Sequence, residues 1–376
     1  MPFAALQAQS FAELTTVRNL VLPYGQLFQM EAGVLGDFVE GGEIPAFGLE
    51  NKISWDARVF YHDDAFHDQD GQLDAYVGRD GIFASLRDGR MVGDTSSRLQ
   101  LTARPWQFYR DGAYNGDTFT PVGQYQGEDY EAYLGFGREV DQALFVEFGP
   151  YYGRKDFERN DRTNPSFSIP NNYDVYGVRM FVEQNNIQLD RRKGLPRRGY
   201  LLTLVGEREW NDSDNPIGED GFYQTSLPDA AWRARGRLEW YIPQASESAW
   251  EIFATGWLTD KKDRVVNSEA QHPQGNMWVD AQLRLRLPIG EGITVTPFAQ
   301  GQYLSILNEF GTGSEEKFFF GGGLESWMHF SESLSMHVIY SYLSNDSRPS
   351  VTINEDIHGQ HMFFAGFVMR FGGSRR

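Results

Sequence analysis

Between Asn276 and Leu287 the chain alternates without a break: Val279, Ala281, Leu283, Leu285 and Leu287 take turns with Asp280, Gln282, Arg284 and Arg286. An extended strand satisfies a period of two and a helix does not, so one face of this segment is greasy and the other charged. Trp232, Ala234, Gly236, Leu238, Trp240 and Ile242 alternate in the same way with Arg233, Arg235, Arg237 and Glu239. Phe363, Ala365, Phe367, Met369 and Phe371 share one side of the segment from His361 to Phe371. Such strands serve a soluble sandwich or a barrel in lipid, and the period alone does not separate the two.

The spacing between strands does. Read back from the C-terminus, connections are long at 345–357, short at 331–333, long at 308–316, short at 290–292 and long at 261–275. They continue short at 244–248, long at 211–228, medium at 190–197, long at 159–170, short at 141–142 and long at 111–128. Long and short connections in strict alternation are the topology of an outer-membrane barrel, with short periplasmic turns and long outer loops. Fifteen strand-like segments can be counted from Gln26 onward, and a first strand within Thr15 to Pro23 gives an even number that leaves both ends in the periplasm. The expected fold is therefore all-β: a closed antiparallel transmembrane barrel of about sixteen strands, with fourteen as the alternative count.

Composition agrees. No Pro/Ser-rich linker divides the 376 residues, so residues 15–376 read as one barrel, preceded by a tail (residues 1–14) that resembles the end of a secretory signal. The absence of cysteine removes disulfides, thiolate metal sites and cysteine nucleophiles together. A net charge of -18 argues against a nucleic-acid partner, which would require a basic face. No apolar run reaches the length of a membrane helix, but a barrel strand hides its lipid face from any hydropathy average. Aromatic residues at 15% and 40 glycines suit aromatic girdles and tight turns, in contact with outer-membrane lipid and lipopolysaccharide.

Five pieces in order carry a family resemblance: L-D-R-R-K-G-L-P-R-R-G-Y (189–200), R-L-E-W-Y-I-P (237–243), G-N-M-W-V-D-A-Q-L-R-L-R-L-P (275–288), F-F-G-G-G-L-E-S-W (319–327) and a last strand ending M-R-F (369–371). Together they resemble the barrel of the outer-membrane assembly and two-partner-secretion transporter superfamily, to which BamA belongs. The resemblance implies a barrel of this kind, with a role in assembly or translocation and a client received by periplasmic POTRA domains. No POTRA domain is read in this sequence, so a separate periplasmic protein subunit is expected to supply that part. The family's V-R-G-F/Y lid motif is missing from 261–275, and the acidic position of its F-x-D-x-G would fall on Ala299.

Three groups of residues invite a chemical reading. If the polar faces line the lumen, Glu207 and Glu209 on one strand lie beside Arg233, Arg235 and Arg237 on the next, and Asp280, Arg284 and Arg286 extend this ladder. It reads either as ion pairs that satisfy one another or as a surface selecting anions. Asp68, Asp70 and Asp74 around Gly71 offer oxygen ligands to calcium in a hairpin loop expected on the outer side, without the terminal Glu of an EF-hand. A solvated acidic loop is the plainer reading. Phe363, Phe367 and Phe371 mark the terminal strand expected to guide membrane insertion, although the chain runs on through Gly372 to Arg376.

Function divides into three readings: a membrane scaffold of the assembly and secretion kind, a diffusion channel for small polar solutes, and a barrel lipid hydrolase. For the last, Ser326 with His329 and Ser335 with His337 are close in sequence, but no orienting third group is evident.

Overall fold

The computed structural model describes residues 24–39, 52–66, 71–78, 81–92, 95–115, 118–141, 143–161, 163–189, 196–213, 216–219, 223–226, 229–244, 248–259, 275–307, 314–344 and 359–374. Among them are twenty strands and no helix. In order these are β1 (Tyr24–Val39), β2 (Lys52–Phe66), β3 (Gly71–Gly78), β4 (Gly81–Val92), β5 (Thr95–Asn115), β6 (Thr118–Asp141) and β7 (Leu144–Arg159). There follow β8 (Phe167–Ser168), β9 (Tyr173–Asn185), β10 (Gln188–Leu189), β11 (Pro196–Asn211), β12 (Pro216–Glu219), β13 (Tyr223–Ser226) and β14 (Ala230–Pro243). The remainder are β15 (Ala249–Thr259), β16 (Gly275–Pro288), β17 (Ile293–Leu307), β18 (Ser314–His329), β19 (Leu334–Leu343) and β20 (Gln360–Ser374).

Seventeen of these strands form one sheet; the two-residue β10 is an appendage of β11, and the other sixteen close into an antiparallel ring. β1 and β20 make the closing pair, in register from Gln26↔Gly373 to Val39↔Gln360. The expected count holds, but its first member does not lie where the sequence placed it. The closing strand is Tyr24–Val39, while 15–23 lie outside the described residues. The seam between first and last strands is paired along its whole length.

Both ends of the ring, Tyr24 and Ser374, stand on the side of the short turns. The expected long loop at 111–128 is instead mostly strand, because β5 and β6 remain paired out to Asn115↔Thr118. In the connections on either side of β9 and β11, β8, β12 and β13 form a separate three-stranded sheet at the outer end. The alternation of long and short connections fails at β3 and β4, which pair from Gly71↔Asp88 to Gly78↔Gly81 and are short at both ends.

The faces sort as a membrane requires. Leu134, Phe136, Met180, Leu204, Leu283 and Phe367 are exposed on the outside of the ring, with Trp232, Trp240 and Phe371 among them. On the same strands the alternate residues Arg179, Glu183, Glu207, Glu239, Arg284 and Arg286 are buried. An apolar outside and charged inside inverts a water-soluble protein and is what a sheet closed in hydrocarbon must have. Phe363, Phe367 and Phe371 lie on the outward face of β20, as their spacing predicts.

Candidate functional site: a closed, charged lumen

The inward residues meet in a network that runs around the ring. Arg179 on β9 holds Glu131 of β6 through both Nη atoms at 2.8 Å, and its Nε donates to Glu207 of β11 at 2.6 Å. Its guanidinium also lies over the rings of Tyr133 and Tyr151, 5.0 and 4.9 Å from their centroids. Glu207 accepts a second bond from Arg235 Nη2 at 2.9 Å and faces Arg233 Nη1 at 3.6 Å. Arg233 pairs with Glu209, to which the Tyr151 hydroxyl donates at 3.1 Å. Lys155 and Arg104 share Asp129 at 3.2 and 3.0 Å, and Arg98 donates to Glu147 across β6.

Of the residues read as a ladder, the structure brings together Glu207, Glu209, Arg233 and Arg235, and the register explains why. Glu207 stands opposite Arg233, and the neighbouring inward residues are one diagonal step away. Arg237 departs from it: opposite Thr203, it turns to Glu239 on its own strand. Among the described residues no arginine pairs with Asp280, which accepts from Gln300 Nε2 at 2.5 Å. Arg284 reaches Glu251 on β15 at 3.3 Å and Glu325 on β18, and Arg286 lies 3.3 Å from Glu251 and donates to the Pro196 carbonyl.

On the far side of the lumen a second cluster joins β1, β2, β18 and β19. His337 places Nδ1 3.1 Å from Glu31 and Nε2 2.9 Å from Glu325, with its ring stacked on Trp327 at 4.1 Å. Arg58 binds Asp56 at 2.5 Å and lies 3.9 Å from Glu31. The sequence reading missed this cluster, as it missed Arg179, Glu131, Arg98 and Glu147. Their parity with the buried positions of each strand was the available signal.

Two features narrow the lumen. β5 and β17, the fifth and thirteenth members of the ring, are diametrically opposite and yet come into contact across the interior. A round barrel of this size would leave a water-filled channel, so the contact flattens it. Between the halves the inward charges pack tightly enough to be buried. At the outer end an aromatic cap covers one half: Tyr125, Phe157, Phe167 and Tyr173 pack with centroids 5.8–6.0 Å apart, and Phe167 belongs to the outer sheet. Beneath lies a cavity of about 90 Å³, bounded by Arg104, Asp129, Lys155, Arg179, Glu207 and Arg233 among others.

The acidic hairpin lies elsewhere than expected. The end of β2 and the start of β3, which flank it, stand on the side of the short turns and of Tyr24 and Ser374, opposite the long loops. Asp68 and Asp70 lie outside the described residues. Asp74 points into the barrel, 2.6 Å from His62 Nδ1, and accepts from Gln72 Nε2 at 2.5 Å. Among the described residues no three acidic or histidine side chains are grouped to hold a metal. Ser335 and His329 meet at 2.8 Å, which is neither of the pairs suggested by adjacency in sequence.

CdiB from Acinetobacter baumannii superposes with a TM-score of 0.55 at 11% identity, covering 92% of this chain and 60% of that one. BamA from Haemophilus ducreyi, in a crystal structure lacking POTRA domains 1-3, gives 0.55 at 13% identity over 98% of this chain and 78% of that one. The fold is that of an outer-membrane β-barrel. Within such barrels the likeness to BamA and CdiB is one of fold. This outer-membrane-type barrel spans 60% of the length of CdiB. The high pH structure of Pseudomonas putida OprB aligns over 97% of this chain and 96% of that one, with a TM-score of 0.48 and 9% identity. No family model and no curated protein matches the sequence.

Proposed function

We propose that this chain resides in the bacterial outer membrane as a barrel closed by its own side chains, acting as a scaffold for protein assembly or translocation in concert with a separate periplasmic protein. The observation that carries this reading is the flattening of the ring, in which β5 meets β17 across an interior already filled by paired charges. Buried ion pairs cost desolvation, which good geometry and further hydrogen bonds must offset. A channel lined by free charges avoids that cost and conducts. A barrel that instead locks its arginines between carboxylates and aromatic rings trades permeability for a rigid wall, which suits a scaffold. The assembly role is carried over from the resemblance to BamA and is an analogy of fold.

The test is single-channel recording of the refolded protein in a planar bilayer, with the heat-modifiable gel shift as proof of folding. A folded barrel that stays silent supports the scaffold reading. Steady large openings overturn it and favour the diffusion channel, for which the charged cavity beneath the aromatic cap would be the selective stretch.

A further inference from the structure

The barrel wall has a step in it. β3 contains eight residues, fewer than the roughly 9–11 that a tilted strand needs to cross the hydrocarbon core. Its pairing with β2 begins at Val59↔Val77, so the outer part of β2, from Lys52 to Arg58, runs beyond the hairpin. On the other flank β4 follows β5 only as far as Ile82↔Ala103, and β5 continues outward from Arg104. Each flank keeps its other neighbour: β2 stays in register with β1 to Asp37↔Lys52, and β5 with β6 to Asn115↔Thr118. Among the described residues no strand stands in the step. At the usual interstrand spacing of about 4.8 Å, a step between β2 and β5 is about 14 Å wide, the room of two strands.

The side chains beside the step register the missing neighbour. Trp55 is 82% exposed and Ile53 66%, whereas Trp240, flanked by strands on both sides, is 46% exposed. Both side chains point out of the barrel, and Asp56 and Arg58, which follow on the same strand, point in.

We propose that this step is a docking edge for an amphipathic β-hairpin of a partner membrane protein, a site that rests on the scaffold reading and names where the partner attaches. A lipid chain would cover the Trp55 ring but offers nothing to the main-chain edge of β2, and backbone polar groups are costly to leave in lipid. An extended chain offers both, by adding strands to an existing sheet. The width calls for a hairpin. Its outward residues would be apolar beside Ile53 and Trp55, and its inward residues polar beside Asp56 and Arg58.

The lack of cysteine allows a direct test. Trp55→Cys and, separately, Ile53→Cys carry an environment-sensitive fluorophore in the full chain in liposomes, with Phe367→Cys on the fully paired β20 as control. The probe is a synthetic hairpin of alternating valine and threonine, and its counterpart N-methylated along the pairing edge. The expected result is a saturable blue shift at positions 55 and 53, none at 367, and binding about tenfold weaker for the methylated hairpin. Equal binding of both hairpins would show apolar partition and overturn the proposal, as would no binding to a barrel that passes the gel-shift test. A shift that depends on protein density without any peptide would assign the step to a second copy and overturn it too. Conductance is read on the same preparations, so failure of the docking edge and failure of the closed-barrel reading are separately visible.

Discussion

Arg179 and Glu131 face each other across β7, two strands apart, joined by two parallel contacts of 2.8 Å. In a flat sheet inward side chains this far apart would stand side by side. Here curvature brings their heads together, and Glu207 takes the third donor of the same guanidinium. The pair is thus a clamp that ties β6, β9 and β11 from within.

Arg179→Ala leaves Glu131 and Glu207 facing the lumen without that clamp, and breaking a buried pair in this way costs about 3–5 kcal/mol. Urea unfolding in detergent micelles should show a loss of this size. Arg179→Lys keeps the charge, loses the fork and should fall between the two. A loss below about 1 kcal/mol for the alanine variant would mean that the network does not hold the wall.

The seam between β1 and β20 is continuous, with Val34 opposite Ala365 on the outward face. A Val34→Cys, Ala365→Cys variant should therefore oxidise to a crosslinked form once folded, visible on a non-reducing gel, with the heat-modifiable shift intact. Crosslinking that proceeds only in the unfolded protein would show that the seam stands open.

Phe167 is fully buried in the aromatic cap over the charged cavity, against Tyr125 at 6.0 Å. Arg159 ties this loop down by donating to the Phe167 carbonyl, and to that of Asn164 at 3.3 Å. Phe167→Ala should loosen the outer loop and leave the barrel folded. Faster tryptic cleavage after Arg159, with unchanged resistance of the barrel to urea, is the expected result; a matching fall in barrel stability would place the cap in the main cooperative unit.

Two glycines should respond in opposite directions. A Cβ at Gly321 would run into the Tyr342 carbonyl of the neighbouring strand, so Gly321→Ala should destabilise by about 1–3 kcal/mol. A Cβ at Gly206 meets nothing within 4 Å, and Gly206→Ala should be neutral or stabilising by up to about 1 kcal/mol through the unfolded chain. Urea midpoints of the two variants decide between them.

Much of this protein follows from sequence alone. A period of two assigns each side chain on β14 or β16 to a face, and the alternating connections require one face to meet lipid. The even count and the short-turn side for both chain ends follow from closing such a sheet. None of this depends on which strand is bent against which, so it can be read locally. The interior could not be read in this way. Arg237 and Glu239 pair along one strand, Arg179 and Glu131 pair across another, and His337 bridges Glu31 and Glu325 from opposite ends of the chain. Those choices depend on curvature, register and the flattening that brings β5 to β17, which are properties of the closed ring. The short β3–β4 hairpin shows the same division: its residues alternate like any strand, and only the registers of β2 and β5 reveal that, among the described residues, the wall beside Trp55 is two strands short.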